Sequence, residues 1–306
     1  MLELTKIRTL DIAPSAQNRP AYVYAASGLV KIDNRLYTVA DDELHLAVFE
    51  FPGDKPGNWY RLLPGALALD YKERKKAKPD LESLTLLEPY EYAPHGALLA
   101  VPSMSKKKRI KGLLIPLDKD RKPSANPLPI DFTQLREKLA GKIEELNIEG
   151  SIVDSKFVRL FHRGSKGKSK SAVIQMNVDQ FLKDLHDSHV ISAGDDIEFE
   201  EYKIGSVDQV PLQFTDAVSL PDKRTLFLAT AEDSDNAYDD GASLGSAVGI
   251  LDEKGRITHI HNIRGRHKLE GVSVAVQNGH LDLLTVSDTD DETKPSALFR
   301  TTIESP

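Results

Sequence analysis

LNIEGSIV, residues 146–153, sets a glutamate and a glycine at the mouth of an apolar run that reads as a buried strand. KLEGVSVAV (268–276) repeats the arrangement, and DLESLTLL (80–87) comes close to it. A carboxylate is rarely buried without a partner. One such glutamate would be incidental, but several at matching places point to a shared destination.

TDAVSL (215–220) offers Asp216 at the same place, and SGLVKI (27–32) offers Ser27. With Glu82, Glu149 and Glu270, the five entrances stand at 27, 82, 149, 216 and 270, spaced 55, 67, 67 and 54 apart. A period near 60 fits a four-stranded propeller blade with generous loops. Turn residues follow the entry strand at Asp33-Asn34, Asp154-Ser155, Pro221-Asp222-Lys223 and Gln277-Asn278-Gly279. Second strands follow in RLYTVA (35–40), ALLAVP (97–102), FVRLFH (157–162), TLFLAT (225–230) and LDLLTV (281–286). Third strands read from LHLAVFEF (44–51), KGLLIPL (111–117), SAVIQMNV (171–178), SAVGIL (246–251) and SALFRTTI (296–303).

A more polar fourth strand completes four repeats: NWYRLL (58–63), NPLPIDF (126–132), DIEFEEYKI (196–204) and RITHIHNI (256–263). The fifth repeat has none. LELTKIRTLDI (2–12) supplies it by pairing beside 296–303, which closes the ring and protects its edges. The expectation is an all-β, five-bladed propeller of four-stranded blades, one domain over 1–306. Two short helical insertions interrupt it. In DFTQLREKLAGKIEEL (131–146), Leu135, Leu139, Ile143 and Leu146 share one helical face. VDQFLKDLHDSHV (178–190) is the second.

The 306 residues are 40% hydrophobic and 28% charged, the composition of a soluble globular protein. A net charge of −7 argues against a general nucleic-acid binder. There is no cysteine, so disulfides and thiolate metal sites are excluded. The N-terminus lacks the apolar core of a signal peptide, and no run reaches the roughly 18 residues that cross a bilayer. A cytoplasmic protein without a membrane partner is expected. No Walker A, GxGxxG or HExxH pattern occurs. His259 and His261 alternate on an outer strand, and Trp59 reads as outer-strand packing.

In an up-and-down blade the end of the second strand lies beside the start of the first, at one mouth of the propeller. Innermost first strands would bring Ser27, Glu82, Glu149, Asp216 and Glu270 into a ring on the axis. Carboxylates at close range raise one another's pKa. A hard cation, Ca²⁺ or Mg²⁺, relieves the repulsion through oxygen ligands. Alternatively each carboxylate caps nearby backbone amides and the axis holds water.

The same mouth gathers acidic loops at 40–43, 231–240 and 287–292 and basic loops at 72–78, 105–109 and 162–170. As solvated surface these runs carry no function. As a site they suit a small anionic, phosphorylated ligand. Two function classes follow. One is a metal-dependent phosphoester or phosphoanhydride hydrolase, with the basic loops neutralising charge and Asp41, Asp42, Glu232, Asp233 or Asp288 as base. The other is a non-catalytic ligand- or protein-binding propeller with a structural axial cation.

LYTVADDELHLAVF (36–49), FTDAVSL (214–220) and AEDSDNAYDDGASLGSAVGILD (231–252) resemble a family of bacterial propeller proteins of unknown function, over nearly the full length. More distantly, the repeat resembles calcium-activated nucleotidases of the apyrase type. Those are five-bladed propellers whose central Ca²⁺ is held by serines and glutamates, one per blade. The resemblance implies Ser27, Glu82, Glu149 and Glu270 as ion ligands. Through DSKFVRLFHRGS (154–165) it implies Arg163 as a phosphate contact. The fourth blade departs, with Thr215-Asp216 where that family has serine. Apyrases enter the secretory pathway, whereas this chain shows no signal. Phytase-like and lactonase-like propellers share an acidic centre on six blades, an analogy of fold only.

Overall fold

Apolar residues alternating with polar ones, punctuated by Gly, Asn and Asp turns, form five antiparallel sheets in the computed structural model of the protein. The structure describes residues 1–14, 19–124, 126–165, 170–192, 194, 196–233 and 241–305. Blade 1 runs Ala26–Ile32, Arg35–Ala40, His45–Glu50 and Asn58–Arg61. Blade 2 runs Leu81–Leu87, Ala97–Pro102, Lys111–Pro116 and Leu128–Asp131. Blade 3 runs Ile148–Val153, Phe157–His162, Ser171–Asn177 and Glu198–Tyr202. Blade 4 runs Val210–Ser219, Thr225–Asp233, Ala242–Leu251 and Ile257–Asn262, with the short strand Ser206–Val207 added beside its first.

Blade 5 runs Lys268–Gln277, His280–Asp288 and Ala297–Glu304, and its fourth strand is Thr5–Thr9 from the other end of the chain. Thr5 faces Arg300 and Thr9 faces Ala297, as the sequence led us to expect. The first strand of each blade packs against the first strands of its two neighbours, so these five line the axis. The ring is a five-bladed β-propeller.

Its core is layered between blades. Tyr37 and Leu46 of blade 1 meet Leu98 and Ile115 of blade 2. Phe161 of blade 3 stacks edge-on against Phe214, which does the same with Phe227. Leu10, Leu36 and Phe49 meet Val286 and Leu298 where the last blade joins the first.

The layer between blades 2 and 3 is thickened by both helical insertions. Thr133–Ala140 is an α-helix that buries Leu135 and Leu139; it ends short of the expected 146, and Ile143 and Leu146 are buried in the same layer from the turns beyond it. Val178–Lys183 is the second helix, continued by a wider π turn over Asp184–Ser188. The basic stretch 72–78, read above as a loop, is instead largely helix, Tyr71–Ala77. Asp70 caps it by accepting from the Glu73 N–H at 2.9 Å, and the fully buried Arg74 anchors it. No helix among the described residues is long and apolar enough to cross a membrane.

Candidate metal centre at the propeller axis

Each innermost strand carries one extra residue at its entrance, a β-bulge against the second strand. The unpaired positions are Gly28, Glu82, Glu149, Thr215 and Glu270. A bulge re-aims a side chain out of the regular alternation. Here it turns three glutamates toward the axis, and one carboxylate oxygen from each of Glu82, Glu149 and Glu270 lies within 4.8 Å of the other two.

Ser27 and Asp216 stand one residue to either side of the bulge in their blades, not on it. Ser27 still reaches the group, donating to Glu270 Oε2 at 3.2 Å. Asp216 does not join it. Its Oδ2 accepts from the Val272 N–H at 2.8 Å and ties blade 4 to blade 5. Burial pushes this carboxyl well above its ordinary range, against the pull of the Val272 and Ala217 amides. In blade 4 the bulge residue is Thr215, which donates to the Leu269 carbonyl at 2.6 Å.

Basic side chains, which the sequence reading left to the loops, are interleaved with the acids. Lys78 Nζ lies 2.6 Å from Asp80 Oδ1, bonds Asp41 Oδ2 and stands 3.7 Å from Glu82 Oε1. Asp41, Asp80 and Glu82 would form a second metal-sized acid group. The Lys78 ammonium already serves as its cation. Burial opposes that charge, but the three carboxylates outweigh it and hold Lys78 well above the usual lysine range. Lys268 is held likewise, 3.0 Å from Glu270, 3.0 Å from Asp288 and 2.7 Å from Asp290. Arg109 reaches Asp80 at 2.8 Å. Arg163 reaches Glu149 at 3.3 Å and Glu232 at 2.9 Å.

The acids of the central group differ in how they are matched. Burial raises all three glutamates. Arg163 offsets this most for Glu149, and Lys268 for Glu270. Glu82 is 8% exposed and carries no hydrogen bond among the described residues, so only Lys78 at 3.7 Å stands near it as counter-charge. Six carboxylates line this chamber (Asp41, Asp80, Glu82, Glu149, Glu270, Asp288) against four cations (Lys78, Arg109, Arg163, Lys268), an excess of two negative charges. Its volume is about 20 Å³. A water needs roughly 10–15 Å³, so the space suits one atom-sized guest.

The base candidates are placed by the same topology. Asp41 and Asp288 line the chamber but are clamped by Lys78 and Lys268. Asp42 is buried beside it, bonded by Tyr24 and by Arg74 Nε at 2.8 Å. Glu232 is buried under Arg163, and Asp233 is exposed at the strand end, outside the chamber lining. The parts of the charged loops at 166–169 and 234–240 lie outside the described residues.

Lys78, Asp80, Asn147 and Lys268 were missed as site residues. The signal was a period of two. Asp80, Asn147 and Lys268 each stand two residues before a bulge glutamate, hence on the same side of the strand as it enters. Asn147 Nδ2 donates to Glu149 Oε1 at 2.6 Å.

Solved structures of similar outline share little sequence with this chain. The α-L-arabinanase of Cellvibrio cellulosa is 12% identical at a TM-score of 0.46, covering 90% of each chain. A GDP-Man-dependent mannosyltransferase from Leishmania mexicana is 9% identical at 0.47, covering 97% of this chain and 88% of its own. An α-L-arabinofuranosidase from Fusarium graminearum is 8% identical at 0.44, covering 98% of each. Likenesses at this level carry no argument. No curated protein matches the sequence, and no likeness to apyrase-type nucleotidases is shown. The model of a family of unknown function, DUF6929, matches residues 22–303, and the chain belongs to that family.

Proposed function

We propose that this protein is a cation-binding propeller that acts as a recognition scaffold, with one hard divalent cation, Ca²⁺ or Mg²⁺, held on its axis by Glu82, Glu149 and Glu270. The observation that carries the reading is the convergence of these three buried carboxylates on a chamber of about 20 Å³. An all-oxygen donor set selects a hard ion. The Glu82 carboxylate, which carries no hydrogen bond among the described residues, supplies a free ligand. When bound, the ion offsets the charge of the three glutamates and draws together the innermost strands of blades 2, 3 and 5, which carry them.

The small chamber, about 20 Å³, favours this reading over a hydrolase, because a phosphoryl group is larger than a water. Asp41 and Asp288, the best-placed bases, are each neutralised by a lysine within hydrogen-bonding distance. A general base must be free to take a proton and must reach it.

The test is calorimetric titration of chelator-treated protein with Ca²⁺ and Mg²⁺, alongside a hydrolysis screen of nucleotides, sugar phosphates and inositol phosphates. One equivalent should bind and raise the Tm, Glu149→Gln should weaken binding strongly, and no turnover should appear. Absence of binding at millimolar metal rejects the ion. Turnover lost in a folded Glu149→Gln protein would establish the hydrolase instead.

A further inference from the structure

Propeller blades bury apolar side chains on the faces that meet their neighbours, and between blades 3 and 4 that rule breaks partway along the strands. Phe161, Val173 and Tyr202 share the face of blade 3 toward blade 4, and join Phe214 and Phe227 in one core. Further from the axial chamber the same face carries Arg159, Gln175 and Glu198. Arg159 stands opposite Gln175 and Gln175 opposite Glu198, and residues two apart on a strand point the same way. Apolar packing thus gives way to a polar row.

The row is held rigid by its own hydrogen bonds. Arg159 Nε donates to Gln175 Oε1 at 2.7 Å, and Gln175 Nε2 donates to Glu198 Oε2 at 2.7 Å. Arg159 Nη1 donates to Asp154 Oδ2 at 2.8 Å, and its guanidinium lies over the Phe157 ring, 5.4 Å from the centroid. Side chains fixed in this way present their remaining donors and acceptors with little entropy left to lose.

Blade 4 does not fill the space opposite. A cleft of about 470 Å³ separates the row from Thr225, Leu251 and the turn at 252–255, well inside the range of small-molecule pockets, roughly 300–1,000 Å³. Phe157 also lines it, half-buried and outside the core that Phe161 joins. Tyr202 ties the two walls together, its hydroxyl donating to the Gly255 carbonyl at 2.8 Å and standing 3.0 Å from Glu200 Oε2.

The lining selects the kind of ligand. Glu198 and Glu253 line the cleft together with Lys223 and Lys254, so neither sign of charge is singled out. Arg159 Nη2, Glu198 Oε1 and Glu200 Oε1 make no hydrogen bond among the described residues and remain for a guest. A sugar ring meets both demands. Each of its hydroxyls donates and accepts at once, and its C–H faces pack on an aromatic ring.

We infer that this cleft is a binding site for a neutral sugar, its hydroxyls engaging Arg159, Gln175 and Glu198 and one ring face resting on Phe157. The cleft shares no lining residue with the axial chamber, so the two readings stand or fall separately.

The probes are the methyl glycosides of glucose, galactose, mannose and xylose, titrated to high millimolar concentration and followed by amide NMR of the wild-type protein. At least one should bind saturably, with shifts centred on Gln175, Glu198 and Thr225, and more tightly than the charged controls glucuronate and glucosamine. Its affinity should be the same in chelator-treated and in Ca²⁺-saturated protein. Gln175→Leu, which breaks the row at its centre, should weaken that sugar about three- to tenfold, the worth of one hydrogen bond. The wild-type shift map keeps the test independent of that variant's folding. No saturable shift from any of the four, shifts centred on the axis, tighter binding of a charged control, loss of binding on chelation, or unchanged affinity in folded Gln175→Leu would each overturn the inference.

Discussion

Arg163 Nη2 lies 2.9 Å from Glu232 Oε2, and both side chains are buried where the second strands of blades 3 and 4 end. Arg163 also reaches Glu149 at 3.3 Å. An arginine so committed ties blades 3 and 4 together, whereas the resemblance to apyrase-type nucleotidases implied a phosphate contact.

Arg163→Ala therefore acts on stability. It removes the nearest counter-charge from two buried carboxylates, leaving only the more distant Lys268, and breaking a buried pair from one side costs about 3–5 kcal/mol. Urea denaturation should show a loss of that order. A loss under about 1 kcal/mol, the range of an exposed pair, would place the guanidinium in solvent and restore the ligand-contact reading.

Glu82→Gln should have opposite signs with and without metal. Burial and the neighbouring Asp80 and Glu149 raise the folded pKa of Glu82 well above 4.5, against Lys78. A carboxyl raised in this way stabilises the fold while protonated and loses that contribution as pH rises through the folded value. At pH 8 the metal-free variant should melt higher than metal-free wild type, because the substituted amide carries no charge to bury. With saturating Ca²⁺ the order should reverse. Equal melting temperatures in both states would remove Glu82 from the ion's ligands.

His162 predicts the acid side of the stability profile. It is fully buried, and burial drives its pKa from 6.5 to about 4, with Arg163 adding to the effect and the Asn147 backbone opposing it. Between those values the unfolded chain takes up a proton that the folded protein refuses. The stabilisation is complete above pH 6.5 and is lost as pH falls toward 4, by at most about 3 kcal/mol. Denaturation curves between pH 4 and 7 should show this slope, and His162→Leu should flatten it.

Two glycines separate crowding from backbone strain. At Gly271 an added Cβ meets backbone atoms at 2.8 and 2.9 Å, whereas at Gly279 nothing lies within 4 Å and only the positive φ of 77° matters. Gly279→Ala should cost about 1–2 kcal/mol, the left-handed penalty. Gly271→Ala should cost more, because the neighbouring strand must move, and thermal melts of the pair would rank them. A tie would mean that the innermost strands yield easily.

The five repeats, the strands within each and the closure by residues near Thr5–Thr9 were all legible in the sequence, because alternation and turn chemistry are local and recur in every blade. The same locality identified Asp41, Arg163, Glu232 and Asp288 as a layer, since each follows a second strand. The helix at Tyr71–Ala77 was not legible: its seven residues are too few for periodicity, and its anchor is Arg74 held by Asp42, Tyr24 and Glu292 from distant segments.

The partners of the acids were beyond the sequence for a related reason. A register of one residue decides where a side chain points, and the bulge sits on Gly28 and Thr215, beside Ser27 and Asp216 and not on them. Ser27 and Glu270 are 243 residues apart and 3.2 Å apart in space. Their meeting depends on the closing of the ring, which brings the first strands of blades 5 and 1 side by side. The sequence determined which residues enter the axis. The ring's closure decided that four basic side chains stand among them and that the space left holds one small guest.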